Sequence, residues 1–96
     1  MMMAQPFEIS WSEEKNLQLK MERGLSFEDV ATAIENDCVL DDIDHPHAHR
    51  KGNQRLLVVD INGYACVVPY VKEGTHMFLK TIYHSREMQK KYRVKK

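Results

Sequence analysis

Long apolar runs and cysteine clusters are both missing from this sequence of 96 residues. No window approaches the roughly 18 apolar residues of a membrane-spanning helix, and residues 1–6 show no basic segment leading into an apolar one, as a secretory signal would. The two cysteines, Cys38 and Cys66, form neither a disulfide framework nor a CxxC motif, so we expect reduced thiols in a cytoplasmic protein.

A chain of this length buries only about 60–65% of its unfolded surface, which is enough for one hydrophobic core. We therefore expect a single domain over residues 1–96, with an ordered part from about 7 to 92 and a basic tail at 93–96. No association with a membrane is expected.

Net charge is zero, yet the two signs are separated along the chain. Residues 1–49 hold eleven acids against three bases, a balance of −8, and residues 72–96 hold eight bases against two acids, a balance of +6. Such polarity is typical of a domain that offers a cationic face to a polyanion. A solvated helix and a solvated tail would give the same numbers, so charge alone does not select a function.

The N-terminal half is predicted to form one strand and two helices. Residues 7–11 alternate apolar and polar side chains, as a half-buried strand does. A helix then begins at Ser12 or at a capping box of Ser10 with Glu13, and Gly24 ends it. A second helix over 26–36 carries the clearest apolar stripe of the sequence.

Residues 37–53 are expected to be irregular, and a meander of strands follows them. Two β-branched runs are joined by Asn62-Gly63, which favours a type I′ hairpin turn because both residues tolerate a positive φ. The predicted strands are 54–61, 64–71 and 76–83, and the final helix is 86–92. The order β-α-α-β-β-β-α predicts an α+β domain whose helices pack on one face of an antiparallel sheet.

The end of the third predicted strand gathers the residue types that metal-free RNA cleavage requires. In a regular strand Lys80 and His84 share one face, and Arg86 opens the following helix, where backbone N–H groups favour an anion. In this chemistry one group takes the 2′-hydroxyl proton, one protonates the leaving oxygen, and cations stabilise the phosphorane. Histidine suits either proton role. An ordinary surface role for each residue stays open.

Three alternate histidines, His45, His47 and His49, are conspicuous in the loop before the meander. They could serve as zinc ligands, as nucleic-acid contacts or as solvated side chains. The intervening proline leaves little room for three rings to converge on one ion, so we expect neither a metal nor a cofactor. Nearby, Arg55 either extends the cationic face or protects the sheet from aggregation. Tyr64 and Cys66 share a strand face; we expect this face to pack in the core, Cys66 included, and a stacking platform is the alternative.

Several short motifs resemble the pattern of BrnT-family toxins between about residues 11 and 92. They are Trp11, Lys15, Gly24, Ser26-Phe27-Glu28, Gly52 before the strand 56–59, and Ser85-Arg86 before the basic helix. The resemblance implies a compact RelE-like fold and a metal-independent endoribonuclease, the toxin of a type II toxin–antitoxin system that inhibits translation and growth. It also implies a small antitoxin with a ribbon-helix-helix DNA-binding domain, through which alone operator DNA is contacted.

Residue by residue, Lys15 matches the family's helix lysine and Arg86 its arginine after the last strand. The chain departs from the family at Ser12, at Glu22-Arg23, where a Lys-His pair is usual, and at His84-Ser85. These departures motivate an alternative, a non-catalytic module of the same fold that binds protein or nucleic acid.

The expected function is thus endoribonuclease activity at the third strand and its exit. The expected catalytic residues are Lys80, His84 and Arg86, and the expected RNA-binding residues are Lys15, Arg55, Lys90, Lys91 and Tyr92.

Overall fold

The structure is a computed structural model that describes residues 8–44 and 53–92. In chain order its elements are β1 (Glu8–Trp11), α1 (Glu13–Arg23), α2 (Phe27–Glu35), β2 (Val39–Asp44), β3 (Gln54–Ile61), β4 (Tyr64–Glu73), β5 (His76–Leu79), β6 (Tyr83–His84) and α3 (Arg86–Tyr92). The predicted α+β class is confirmed. The prediction that 37–53 is irregular was wrong, because β2 lies within it. The histidines of that loop lie outside the described residues.

The ends of the predicted helices and the hairpin turn are confirmed. Ser12 and Ser26 cap α1 and α2, each accepting a hydrogen bond from the backbone N–H three residues later. Gly24 ends α1 with a φ of +67°. Asn62 and Gly63 both have positive φ, at 55° and 82°, as the type I′ turn requires.

The six strands form one mixed sheet, in the order β1-β5-β4-β3-β2, with β6 paired to β4. The β1–β5 pair is parallel and the other pairs are antiparallel, so the prediction of a fully antiparallel sheet was wrong. The parallel pair joins distant parts of the chain: the Ser10 hydroxyl and His76 Nε2 hydrogen-bond at 2.6 Å across 66 residues. Local patterns carry no information about such a pairing.

The main core lies between one face of the sheet and the helices α1 and α2. Inward side chains such as Leu57, Val68 and Leu79 pack there against Phe27 and Val30. We call this side the α1–α2 face.

The opposite face of the sheet carries α3. Val58 and Val67 are buried but lie outside the main core. The α3 helix contacts β4, and its Tyr92 reaches Asp41, the cross-strand partner of Val58. The prediction that all helices share one face was therefore wrong. We call this side the α3 face.

The third predicted strand is interrupted at residues 80–82, between β5 and β6. The Lys80 N–H donates to the carbonyl of Pro69, at 2.8 Å. In an antiparallel ladder the same two residues would exchange a second bond, but proline has no N–H to donate. We infer that the missing donor of Pro69 ends the ladder here.

No helix among the described residues is long and apolar enough to cross a lipid bilayer.

Candidate active site

His84 lies at the end of the last strand and is exposed to solvent. Its backbone pairs with Cys66 of β4, and its ring packs edge-on against the ring of Tyr64, with 4.6 Å between centroids. Since Tyr64 is the cross-strand partner of the core residue Ile61, this ring pair lies at the margin of the α1–α2 face.

Lys80 lies on the opposite side of the sheet from His84. Met77 and Leu79 point into the main core, so Phe78 points to the α3 face, and the Lys80 Nζ lies 5.5 Å from the centre of the Phe78 ring. The expectation that Lys80 and His84 share a face was wrong. The break after β5 shifts the alternation by one residue, which places Ile82 in the main core and turns His84 to the same side.

A cationic side chain at the end of α1 contacts the segment between β5 and β6. Arg23 is the last residue of α1, and its Nη1 donates a hydrogen bond of 2.7 Å to the carbonyl of Ile82. His84 follows Ile82 by two residues, which span at most about 7 Å of extended chain. The fold therefore brings Arg23 towards His84 from 61 residues away in sequence. The only local signal of this contact is weak: a cation in the last helical turn before Gly24.

Arg86 is the first residue of α3 and is exposed. The preceding Ser85 fixes its backbone: the Ser85 N–H donates to the carbonyl of Ala65 at 3.1 Å, and its hydroxyl accepts from the Met88 N–H at 3.1 Å. None of the ion pairs between described residues involves Arg86. We call Arg23, Tyr64, His84 and Arg86 the junction site.

Arg55 is already hydrogen-bonded to two acidic side chains of this protein. Its Nε donates to the Asp42 carboxylate at 2.9 Å and its Nη1 to Asp44 at 2.7 Å. The bond to Asp42 is the main reason that the pKa of Arg55 is raised. Arg55 pairs with Tyr70 of β4, four residues along that strand from the partner of His84, which is about 13 Å. The structure does not bring Arg55 to the junction site.

The remaining candidates for RNA binding lie on α3 and α1. The Tyr92 hydroxyl donates to Asp41, a bond that lowers the pKa of Asp41 and raises that of Tyr92. The Lys91 Nζ lies 5.4 Å from the centre of the Tyr92 ring, and Lys90 is exposed. Lys15 is half-buried on α1, about 12 Å along the helix axis from Arg23.

Cys66 lies close to the junction site but is unsuited to nucleophilic chemistry. Its side chain is fully buried, and burial raises the pKa of the thiol to about 12. The thiol is therefore protonated at neutral pH, whereas the thiolate is the reactive form. Packing in the core, the role expected from the sequence, is confirmed.

Within residues 8–44 and 53–92 no group of three or more histidine, cysteine or acidic side chains is placed to hold a metal ion. Comparison of the chain with protein-family models, with curated proteins and with solved structures gave no match.

Proposed function

We propose that this protein is a metal-independent endoribonuclease that cleaves RNA at the junction site and acts as the toxin of a type II toxin–antitoxin pair. The observation that carries the proposal is the hydrogen bond from Arg23 to the carbonyl of Ile82. It brings a second cation to the end of a strand that already presents His84 and, two residues on, Arg86. RNA cleavage without a metal needs this combination of one titratable group and fixed cations.

The proposed chemistry is an internal transesterification. His84 takes the proton of the 2′-hydroxyl, the 2′-oxygen forms a bond to phosphorus, and the bond from phosphorus to the 5′-oxygen breaks. The leaving 5′-oxygen lies on the opposite side of phosphorus, so a water molecule supplies its proton, and His84 afterwards releases the proton that it took to solvent. Arg23 and Arg86 stabilise the negative charge that accumulates on the phosphorane oxygens.

Tyr64 has a supporting part in the proposal. Its contact with His84 limits the positions that the imidazole can take, and an orientated base is more effective than a freely rotating one. The tyrosine ring also offers a surface on which a nucleotide base can stack. The compact RelE-like arrangement of the domain belongs to the same proposal, supported by the element order along the chain.

The proposal is tested by inducing the chain alone in bacteria and following growth and bulk RNA integrity. We expect growth arrest with RNA loss for the wild type, and normal growth for Arg86→Ala and His84→Ala. In vitro, purified RNA should be cleaved equally well with and without a chelator, because the proposed chemistry uses no metal. Removal of one stabilising cation is expected to slow cleavage about 100-fold or more.

Two lysines make the test specific to the site. Lys20→Gln removes an exposed charge from α1 and should leave cleavage unchanged. Lys80→Ala tests the catalytic role that the sequence predicted for Lys80. That role would require Lys80 to reach the substrate from the face of the sheet opposite His84. Full activity of His84→Ala and Arg86→Ala together would show that the junction site is not the active site.

The proposed partner is a small antitoxin with a ribbon-helix-helix domain and an acidic segment. Such a segment would cover the exposed cations near the junction site and neutralise them. Operator DNA would then be contacted through the antitoxin. Co-expression with the product of an adjoining reading frame should restore growth, and a frame with no such pattern beside the gene would count against this part of the proposal.

A second candidate function is binding of protein or nucleic acid without catalysis. The observation that favours it is that Arg55 and Tyr92, two of the expected RNA contacts, are already bonded to aspartates. RNA binding by a pure, folded chain that leaves the RNA intact would favour this candidate over the ribonuclease.

A further inference from the structure

A cavity of about 330 Å³ opens on the α1–α2 face, beside the end of α2. Its apolar wall is formed by Ile34, Val39, Leu57 and Met77. A mainly apolar cavity of this size with a few polar groups is the usual form of a small-molecule site.

The acid at this cavity is already bonded within the protein. Asp42 accepts hydrogen bonds from Arg55 at 2.9 Å and from the Tyr70 hydroxyl at 2.9 Å. Tyr70 also lines the cavity and is only 3% exposed, so the bonds to Asp42 fix the position of its hydroxyl. Asp42 is thereby less available to a ligand cation.

The basic group at the cavity is Lys72, and, unlike Asp42, it has no partner for its charge among the described ion pairs. Lys72 lines the cavity and is the cross-strand partner of Met77, so it points to the same face. Among the described residues no carboxylate forms an ion pair with it. The unmatched charge beside the apolar wall is therefore positive.

We propose that this cavity binds a small apolar molecule that carries one carboxylate. The apolar part lies against Leu57 and Met77, and the carboxylate pairs with Lys72. A carboxylate beside Asp42 alone would be repelled, so Lys72 sets the orientation of the ligand.

This site is separate from the junction site and does not depend on the proposed ribonuclease activity. Lys72 lies six residues along β4 from Cys66, the partner of His84, which corresponds to about 20 Å. A variant of one site should therefore leave the other unaffected. Lys72→Gln should cleave RNA as the wild type does, and His84→Ala should bind the ligand as the wild type does.

The test is a titration of the full chain, labelled with nitrogen-15, with 4-phenylbutyrate and with its neutral amide. We expect saturable shifts of amide signals at Leu57, Tyr70, Lys72 and Met77, with a dissociation constant of about 1 mM, the range that a ligand of this size reaches. The carboxylate should bind about threefold to fivefold more tightly than the amide, as one partly exposed ion pair allows.

Two variants make the outcome decisive. Lys72→Gln should make the two probes equal, whereas Lys20→Gln should preserve the preference. Val39→Phe, at a position that is 37% exposed, should fill the mouth and weaken both probes without loss of folding. Shifts that do not saturate, shifts centred elsewhere, or a preference that survives Lys72→Gln would overturn the proposal.

Discussion

At the scale of single residues, Asn16 joins the two helices that cover the sheet. It is only 1% exposed. Its side-chain oxygen accepts from the Phe27 N–H at 2.7 Å, and its amide donates to Glu28 at 2.9 Å. The bond to Asn16 is the largest cause of the lowered pKa of Glu28. Both polar atoms of this buried side chain thus have a hydrogen-bond partner, as buried polar groups in native proteins usually do.

Asn16→Ala should destabilise the protein by about 2 kcal/mol, because the buried N–H of Phe27 loses its acceptor. The free energy of unfolding, measured in urea, checks this. Gln18→Ala is the control on the same helix, since Gln18 is exposed and bonds across the helix surface to Glu22; it should cost less than about 0.5 kcal/mol. Equal losses for the two variants would contradict the structural role given to Asn16.

The ionisation of Tyr70 makes the free energy of unfolding depend on pH in the alkaline range. Burial and the hydrogen bond to Asp42 raise the pKa of Tyr70 to about 12, from an ordinary value of 10.0. The folded state thus holds the phenol proton more tightly than the unfolded state does. Stability from this group is complete below pH 10 and is lost as the pH rises towards 12.

A spectrophotometric titration should show one of the four tyrosines ionising close to pH 12, and Tyr70→Phe should remove that late step. In the variant the alkaline fall in the free energy of unfolding should also be smaller. An unchanged late step in Tyr70→Phe would assign it to another tyrosine.

At the scale of elements, helix ends depend on a few backbone positions. Gly24 has a φ of +67°, and a Cβ placed there would meet no atom within 4 Å. The penalty for a side chain at this position is therefore one of backbone conformation and not of crowding. The left-handed conformation lets the Gly24 N–H bond to the carbonyl of Lys20, at 3.2 Å, and turn the chain towards α2.

Gly24→Ala should cost about 1 kcal/mol of stability, because alanine disfavours a positive φ. Gly24→Asn should cost less, since asparagine adopts this conformation more readily than alanine. Thermal unfolding of the three proteins checks the order. A stability of Gly24→Ala equal to that of the wild type would contradict the conformational argument.

At the scale of the whole molecule, the charges separated along the chain are also separated in space. The residues of α2 include three acids and no base, and those of α3 include three bases and one acid. The surface of α2 is therefore acidic and that of α3 is basic. The α3 surface attracts a polyanion, and because α3 begins two residues after His84, it would bring an incoming RNA to the junction site.

Binding of a fluorescent single-stranded RNA should weaken steeply between low and moderate salt, because bound cations release counterions from the phosphates. Replacement of both Lys90 and Lys91 by glutamine should lower the slope of log affinity against log salt by about 1.4. Fluorescence anisotropy measures the slope, and Lys20→Gln should leave it unchanged. An affinity independent of salt would show that α3 is not the RNA-binding surface.

Local patterns in the sequence were enough to predict the ends of the helices and the hairpin turn. Capping by Ser12 and Ser26, the end of α1 at Gly24 and the turn at Asn62-Gly63 are all set by neighbouring residues, so local patterns predict them. The apolar stripe of α2 likewise placed Phe27 in the core. Pro69 was a further local signal, because a residue without an N–H weakens the pairing of its strand on that side.

Long-range contacts, which local patterns do not predict, set which residues lie near the end of the last strand. The parallel pairing of β1 with β5, the place of α3 on the far face and the bond from Arg23 to Ile82 are contacts between distant parts of the chain. The regular alternation of a strand predicted Lys80 and His84 on the same face, but one break in the ladder moved them to opposite faces. A shift of one residue reverses every side chain that follows it, and long-range pairing, which no local pattern records, determines where such a shift occurs.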